Sequence, residues 1–98
     1  MKLPLRLQPG VYKDLDDASL WYEQQRAGLG SRFLAAIEQV FNRVQRLPLM
    51  HEIVYKDVRL ALVRRFPYGV YFRVQPERIE VIAVYHNHRD PQGWQARV

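Results

Sequence analysis

Two short turns near the C-terminal end do most to limit what this chain can fold into. Val58 to Phe66, Val70 to Gln75 and Ile79 to His86 are three strand-like runs. They are separated only by Pro67-Tyr68-Gly69 and Pro76-Glu77-Arg78. Turns this short cannot carry a crossover, so the three runs form an antiparallel meander. The last run is apolar on both faces beyond Glu80 and therefore belongs inside the sheet. In the middle run Val70, Phe72 and Val74 alternate with Tyr71 and Arg73. Period-two geometry sends these two sets to opposite faces.

The first half of the chain follows a different period. Ser31 to Leu47 places Phe33, Leu34, Ile37, Val40, Phe41, Val44 and Leu47 at helical spacing, and Pro48 stops the helix. Val11 to Arg26 predicts a second helix, with Leu15, Ala18, Ser19 and Tyr22 on one face and Tyr12 and Trp21 flanking it. Asp14, Asp16 and Asp17 are expected near its N-terminus, where the helix dipole favours negative charge. A Gly-Leu-Gly turn joins the two as an antiparallel hairpin. Lys2 to Gln8 alternates weakly and carries Pro4, which suits an edge strand ended by Pro9-Gly10. His51 to Tyr55 is either a short strand or an extended loop. The fold class is therefore α+β, in the order β-α-α-β-β-β, with the hairpin on one face of a small, mainly antiparallel sheet.

Ninety-eight residues suit a single domain spanning 1–98, and 48% hydrophobic content suffices for one core. The lack of cysteine excludes disulfides, a thiol nucleophile and a Cys-based zinc site. No apolar run reaches the roughly 20 residues of a membrane span, and the N-terminal residues lack a signal-peptide core. The expectation is a soluble cytoplasmic protein without a cofactor or metal. His86 and His88 are expected on opposite strand faces, with no carboxylate pair converging on them.

The charge of +5 comes from twelve arginines and three lysines against ten acids. Arg59, Arg64, Arg65 and Arg73 fall within fifteen residues that contain no acid. Arginine binds phosphates and carboxylates bidentately, so the sheet could hold an anionic partner. The alternation as read gathers Arg65, Tyr71 and Arg73 on the face away from the helices, with Tyr85 or His86 arriving from the last strand. Asp90 could pair with Arg89 or Arg65. The plainer reading of these arginines is a solvated face or ordinary ion pairs. For the helix aromatics it is core packing, and for His86 a strand-end histidine bonded to backbone.

Three blocks, DLDDASLWYEQQRAGLGSRF, RLALVRRFPYGVYFRV and IEVIAVYHNHRDPQGW, cover most of the chain from Asp14. In this order and spacing they resemble the RelE/ParE superfamily of bacterial type II toxins, and its ParE-like branch in particular. The resemblance implies a toxin encoded beside a small antitoxin that wraps and blocks it, in an oligomer with that antitoxin. In the ParE-like branch it implies growth arrest by inhibition of DNA gyrase. The RelE-like alternative is cleavage of mRNA on the ribosome, for which Arg65 and Arg73 would stabilise the phosphorane and Tyr85 and His86 would move protons. A third reading is a non-toxic module that only binds antitoxin. Arg59, Arg64, Tyr71, His88, Arg89 and Trp94 are the candidate partner-binding residues.

Overall fold

A computed structural model describes residues 2–98. Strand β1 (Leu5–Leu7) leads into helix α1 (Pro9–Gln25), then α2 (Leu29–Arg46) and a 3-10 turn (Pro48–Met50). Strands β2 (Glu52–Tyr55), β3 (Val58–Leu62), β4 (Tyr68–Val74) and β5 (Ile79–His86) follow, and α3 (Gln92–Gln95) closes the chain. The sheet order is β1-β5-β4-β3-β2. β1 pairs with β5 in parallel and the other pairs are antiparallel. The expected α+β arrangement holds, with two additions: residues 52–55 form the outer strand, and the tail forms a helix.

Several boundaries moved for identifiable reasons. Pro9 and Gly10 do not merely end β1 but start α1, since proline is preorganised for the first helical position. The three aspartates consequently lie beyond the first turn of α1. β3 stops at Leu62 rather than Phe66, and β4 starts at Tyr68. Val63 N–H donates to the Tyr68 carbonyl at 2.9 Å and Tyr68 N–H to the Phe66 carbonyl at 2.8 Å, which curls the connection into a compact loop. Leu34 and Leu47, read as core positions of α2, are exposed.

Glu23 organises the α1–α2 turn. Its two carboxylate oxygens accept the N–H groups of Gly28 (2.9 Å) and Gly30 (3.0 Å). These are orphan donors at the start of α2, and a carboxylate there also suits the helix dipole. Gly28 has a positive φ of 87°, which glycine adopts without steric cost. A Cβ on Gly30 would meet the Ser19 carbonyl of α1 at 2.5 Å, so glycine permits the two helices to close here.

The sheet is covered on both faces. The helix hairpin packs over Ala61, Val63, Val70, Phe72, Ile79, Val81 and Val84, to which it contributes Val11, Ala18, Phe33, Ile37, Val40 and Val44. Tyr22, Phe33, Phe66 and Tyr68 extend this core as an aromatic cluster. On the other face Trp94 of α3 covers Val58, Tyr71, Ile82, Ala83 and Tyr85.

A β-bulge in β5 adjusts the facing. Tyr71 pairs with Ala83 but Phe72 pairs with Val81, which leaves Ile82 as the extra residue. Ile82 and Ala83 therefore both serve the Trp94 side, while Val81 and Val84 serve the helices. β1 ends at Leu7, opposite Val81, so the β5 edge beyond is uncovered by any strand. Side chains take over there. Asp14 accepts the Val84 N–H at 3.0 Å, and Arg97 donates to the Ile82 carbonyl at 3.2 Å. The two are themselves joined by bidentate bonds of 2.7 and 2.8 Å.

His51 is half-buried, with one ring nitrogen enclosed. Its ring meets Phe72 edge-on with centroids 5.5 Å apart, and its Nε2 is buried without a hydrogen-bond partner. Burial, with Arg43 and Arg59 nearby, holds its pKa below the ordinary histidine value. The unfolded chain thus takes up this proton first. The stability linked to His51 is complete above about pH 6.5 and is lost as pH falls through the lower folded value. We expect the urea midpoint to drop between pH 7.5 and pH 5, and by less in His51→Gln, as followed by circular dichroism.

Candidate functional site

The residues proposed from sequence do not converge. Arg73 and His86 sit at opposite ends of the β4–β5 pair. Arg73 lies opposite Glu80, and His86 opposite Tyr68. Tyr68 and Arg73 are five positions apart along β4, or roughly 17 Å. The guanidinium of Arg73 is already engaged, 3.1 Å from Asp57 and 3.8 Å from Glu80.

Tyr85 is on the face opposite His86. It is 3% exposed, and its hydroxyl lies against Gly93, where even a methyl group would collide with it. Arg89 stacks over its ring at 4.5 Å. Tyr71 is 8% exposed and stacks on Trp94 with ring centroids 4.1 Å apart. Burial raises the pKa of the Tyr71 hydroxyl. Tyr71 and Trp94, offered as partner contacts, thus contact each other.

Arg65 does not share a face with Tyr71 and Arg73. β3 ends before it, so strand alternation does not extend to it. It lies in the β3–β4 loop with φ at 69°, in the left-handed region. Asp90 pairs with neither Arg89 nor Arg65; its carboxylate accepts the Gln92 N–H at 3.0 Å and starts α3. His86 and His88 are neighbours, with rings 5.6 Å apart, because the strand ends at His86 and the chain turns back. His86 Nδ1 accepts the His88 N–H at 3.1 Å, and its ring meets Tyr68 at 5.2 Å. The plainer reading of His86, a strand-end residue bonded to backbone, describes its surroundings. Arg59 donates to the carbonyls of His51 (2.7 Å) and Leu49 (3.3 Å), tying the 3-10 turn to β3. Among the described residues no group of metal-ligating side chains gathers.

The structure does gather another set. A solvent-open cleft of about 910 Å³ runs between α2 and the β3–β4 loop. Arg32, Arg64 and Arg65 stand on its rim, with Ala35, Ala36 and Phe66 beneath. Arg64 and Arg65 were candidates from sequence, but Arg32 was not. Its signal was available: Arg32, Ala35, Ala36 and Gln39 flank the apolar stripe of α2 at helical spacing.

Comparison with known proteins agrees with this fold. A family model described as the ParE toxin of the type II toxin–antitoxin system, parDE, matches residues 5–91. The chain belongs to the ParE toxin family. Toxin ParE2 of Mycobacterium tuberculosis (strain CDC 1551 / Oshkosh) is 27% identical over 95 residues, covering 96% of this chain and 90% of that protein. The same toxin from strain ATCC 25618 / H37Rv matches equally.

Two solved structures share the ParE-type fold at 19% identity. The chromosomal ParDE system from P. aeruginosa superposes with a TM-score of 0.66, covering 87% of this chain and 96% of that one. The RelBE2 toxin–antitoxin complex from Mycobacterium tuberculosis gives 0.64, with 88% and 99% covered. No helix among the described residues of this ParE-family chain is long and apolar enough to cross a membrane.

Proposed function

We propose that this ParE-family toxin arrests growth by inhibiting DNA gyrase and that a cognate antitoxin neutralises it. Family membership supports the toxin assignment. The description of both solved neighbours as toxin–antitoxin systems supports an antitoxin partner. One observation favours a binding mechanism over ribonuclease chemistry: the dispersal of Arg65, Arg73, Tyr85 and His86. Cleavage by 2′-hydroxyl attack needs a base, an acid and a cation around one phosphate, within hydrogen-bond reach. Here the arginine most central to the sheet is held by two carboxylates. The tyrosine is enclosed under α3, and the histidine is on the other face.

The test pairs two assays on purified protein: supercoiling of relaxed plasmid by gyrase, and ribosome-dependent cleavage of mRNA. Loss of supercoiling with intact mRNA is expected. Cut mRNA with normal supercoiling would overturn the proposal. Deleting residues after Asp90 is a poor probe of the tail, because it removes Trp94 and Arg97 from the packed fold.

A further inference from the structure

We propose that the outer edge of the sheet, strand β2 with the 3-10 turn that leads into it, pairs with the same edge of a second copy of this chain across a two-fold axis. This surface is distinct from the arginine-rimmed cleft, and the inference stands without the gyrase reading.

The first observation is where the apolar surface lies. Among the described residues ten large apolar side chains are exposed, and six of them fall between residues 47 and 62. Leu47, Leu49 and Met50 belong to the 3-10 turn and its cap, Ile53 and Val54 to β2, and Leu62 to β3. The pairing of Glu52 with Leu60, carried two residues further, sets Leu62 beside Met50. The six thus gather along one side of the sheet, and gathered apolar surface of this kind marks an interaction site.

The second observation is the backbone. β1 and β2 are the two outer strands. On the β1 side, Asp14 and Arg97 bond to the part of β5 that β1 leaves bare. On the β2 side the nearest such bond, from Arg59, stops at the His51 carbonyl. The outward N–H and C=O groups of β2 are therefore open to another strand. Val54 is the bulged residue of β2 and has no partner on β3.

The third observation is charge. Residues 47–62 hold Glu52, Asp57, Lys56 and Arg59, which sum to zero in a chain of +5. Nucleic acid binds through cationic surface, so a neutral edge does not suit it. The same neutrality lets a second copy approach without repulsion. The order of the charges then selects the geometry. In Glu52-Ile53-Val54-Tyr55-Lys56, antiparallel pairing centred on Val54 sets Ile53 against Tyr55 and Glu52 against Lys56, twice over. Both charged side chains are exposed, and the Lys56 ammonium lies 5.3 Å from the Tyr55 ring centroid at the strand end. A two-fold interface uses the edge of both copies, so association closes at a dimer. A four-residue edge offers less than the roughly 800 Å² per partner of a standard interface, so the expected Kd is on the order of 10 µM.

The test is sedimentation equilibrium on the full chain without antitoxin, from well below to well above that concentration. A monomer–dimer equilibrium is expected. Glu52→Lys and Lys56→Glu should each raise Kd about 10-fold, since each sets two like-charged pairs in place of two opposite ones. The double variant Glu52→Lys, Lys56→Glu should return to within about 2-fold of the wild type. Glu38→Lys, an exposed change of the same charge on α2, should leave Kd unaltered. Circular dichroism checks the fold of each variant.

The absence of native cysteine allows a second readout, because the thiol of Val54→Cys is unique. Facing Cα atoms of paired strands lie about 4.5–5.5 Å apart, within disulfide range. Oxidation should yield a covalent dimer from Val54→Cys and none from Leu20→Cys, although Leu20 is the more exposed at 60% against 39%. A wild type that stays monomeric throughout, a dimer indifferent to both single reversals, or a double variant no tighter than the single ones would each overturn the proposal. Equal cross-linking of the two cysteine variants would do the same. If the thiol at position 54 reacts freely with a maleimide in the toxin alone and is shielded only when antitoxin is added, the edge belongs to that partner and the proposal falls.

Discussion

Asp14→Ala is expected to destabilise the protein by about 3 kcal/mol, enough to lower Tm by roughly 15 °C in a domain of this size. The Asp14 side chain is 7% exposed, and three groups depend on it or on its partner. Arg97 would lose its bidentate carboxylate, and the Val84 N–H would lose its acceptor. Arg97, no longer aligned, would release the Ile82 carbonyl. Replacing both members of a buried ion pair by apolar residues is often harmless. Here it should not be, because the pair also satisfies two backbone groups at the bulge. The double variant Asp14→Leu, Arg97→Met is therefore expected to remain destabilised in thermal and urea melts. A double variant as stable as wild type would show that the pair is dispensable. Asp14→Asn should fall between, since it keeps an acceptor for Val84.

Trp94→Ala should cost about 4 kcal/mol. The ring is 3% exposed and lies between Tyr71 and Tyr55, with centroids 4.1 and 5.6 Å away. Removing it opens the second core, and no neighbouring element is placed to refill the space. Small domains have only about 5–15 kcal/mol of net stability, so the variant should be fragile at 37 °C. Trp94→Phe should recover much of the loss by keeping a ring on Tyr71. The spectroscopy is simple, because the only other tryptophan, Trp21, is 55% exposed. Wild-type fluorescence should contain a blue-shifted component that vanishes in Trp94→Ala. A red-shifted spectrum in the native wild type would contradict the packing described.

The elements that could be read in advance were those governed by local periodicity. β5 was bounded correctly at Ile79 and His86 because an apolar run between turn residues admits little else. The α2 stripe was clear because Phe33, Ile37, Val40 and Val44 repeat at helical spacing. Side-chain roles set by distant partners were not visible. Asp14 resembled a helix-dipole acid, but it meets Arg97, 83 residues away. Glu23 gave no sign that it would cap the following helix. Trp94 resembled a surface contact because nothing local indicates that four residues of tail helix fold back onto Tyr71. The placement of Arg65 failed for a specific reason: strand alternation was extended past Leu62 into a loop with a left-handed residue. The facing rule holds only within a paired strand, and it resumes in β4, where Val70 and Phe72 face the helices and Tyr71 faces Trp94.

The parallel pairing of Leu5–Leu7 with Ile79–Val81 has a consequence for a chain still being made. β1 leaves the ribosome early but has no strand to pair with until β5 follows. The bulge beside it stays uncapped until Arg97 arrives. The sheet is therefore completed by the last twenty residues, and sequence-distant contacts of this kind are slow to form. The α1–α2 hairpin can assemble earlier, since Glu23 and its acceptor-seeking amides are neighbours in the chain. During synthesis the protein should pass through a stage in which the helices are formed and the sheet is open.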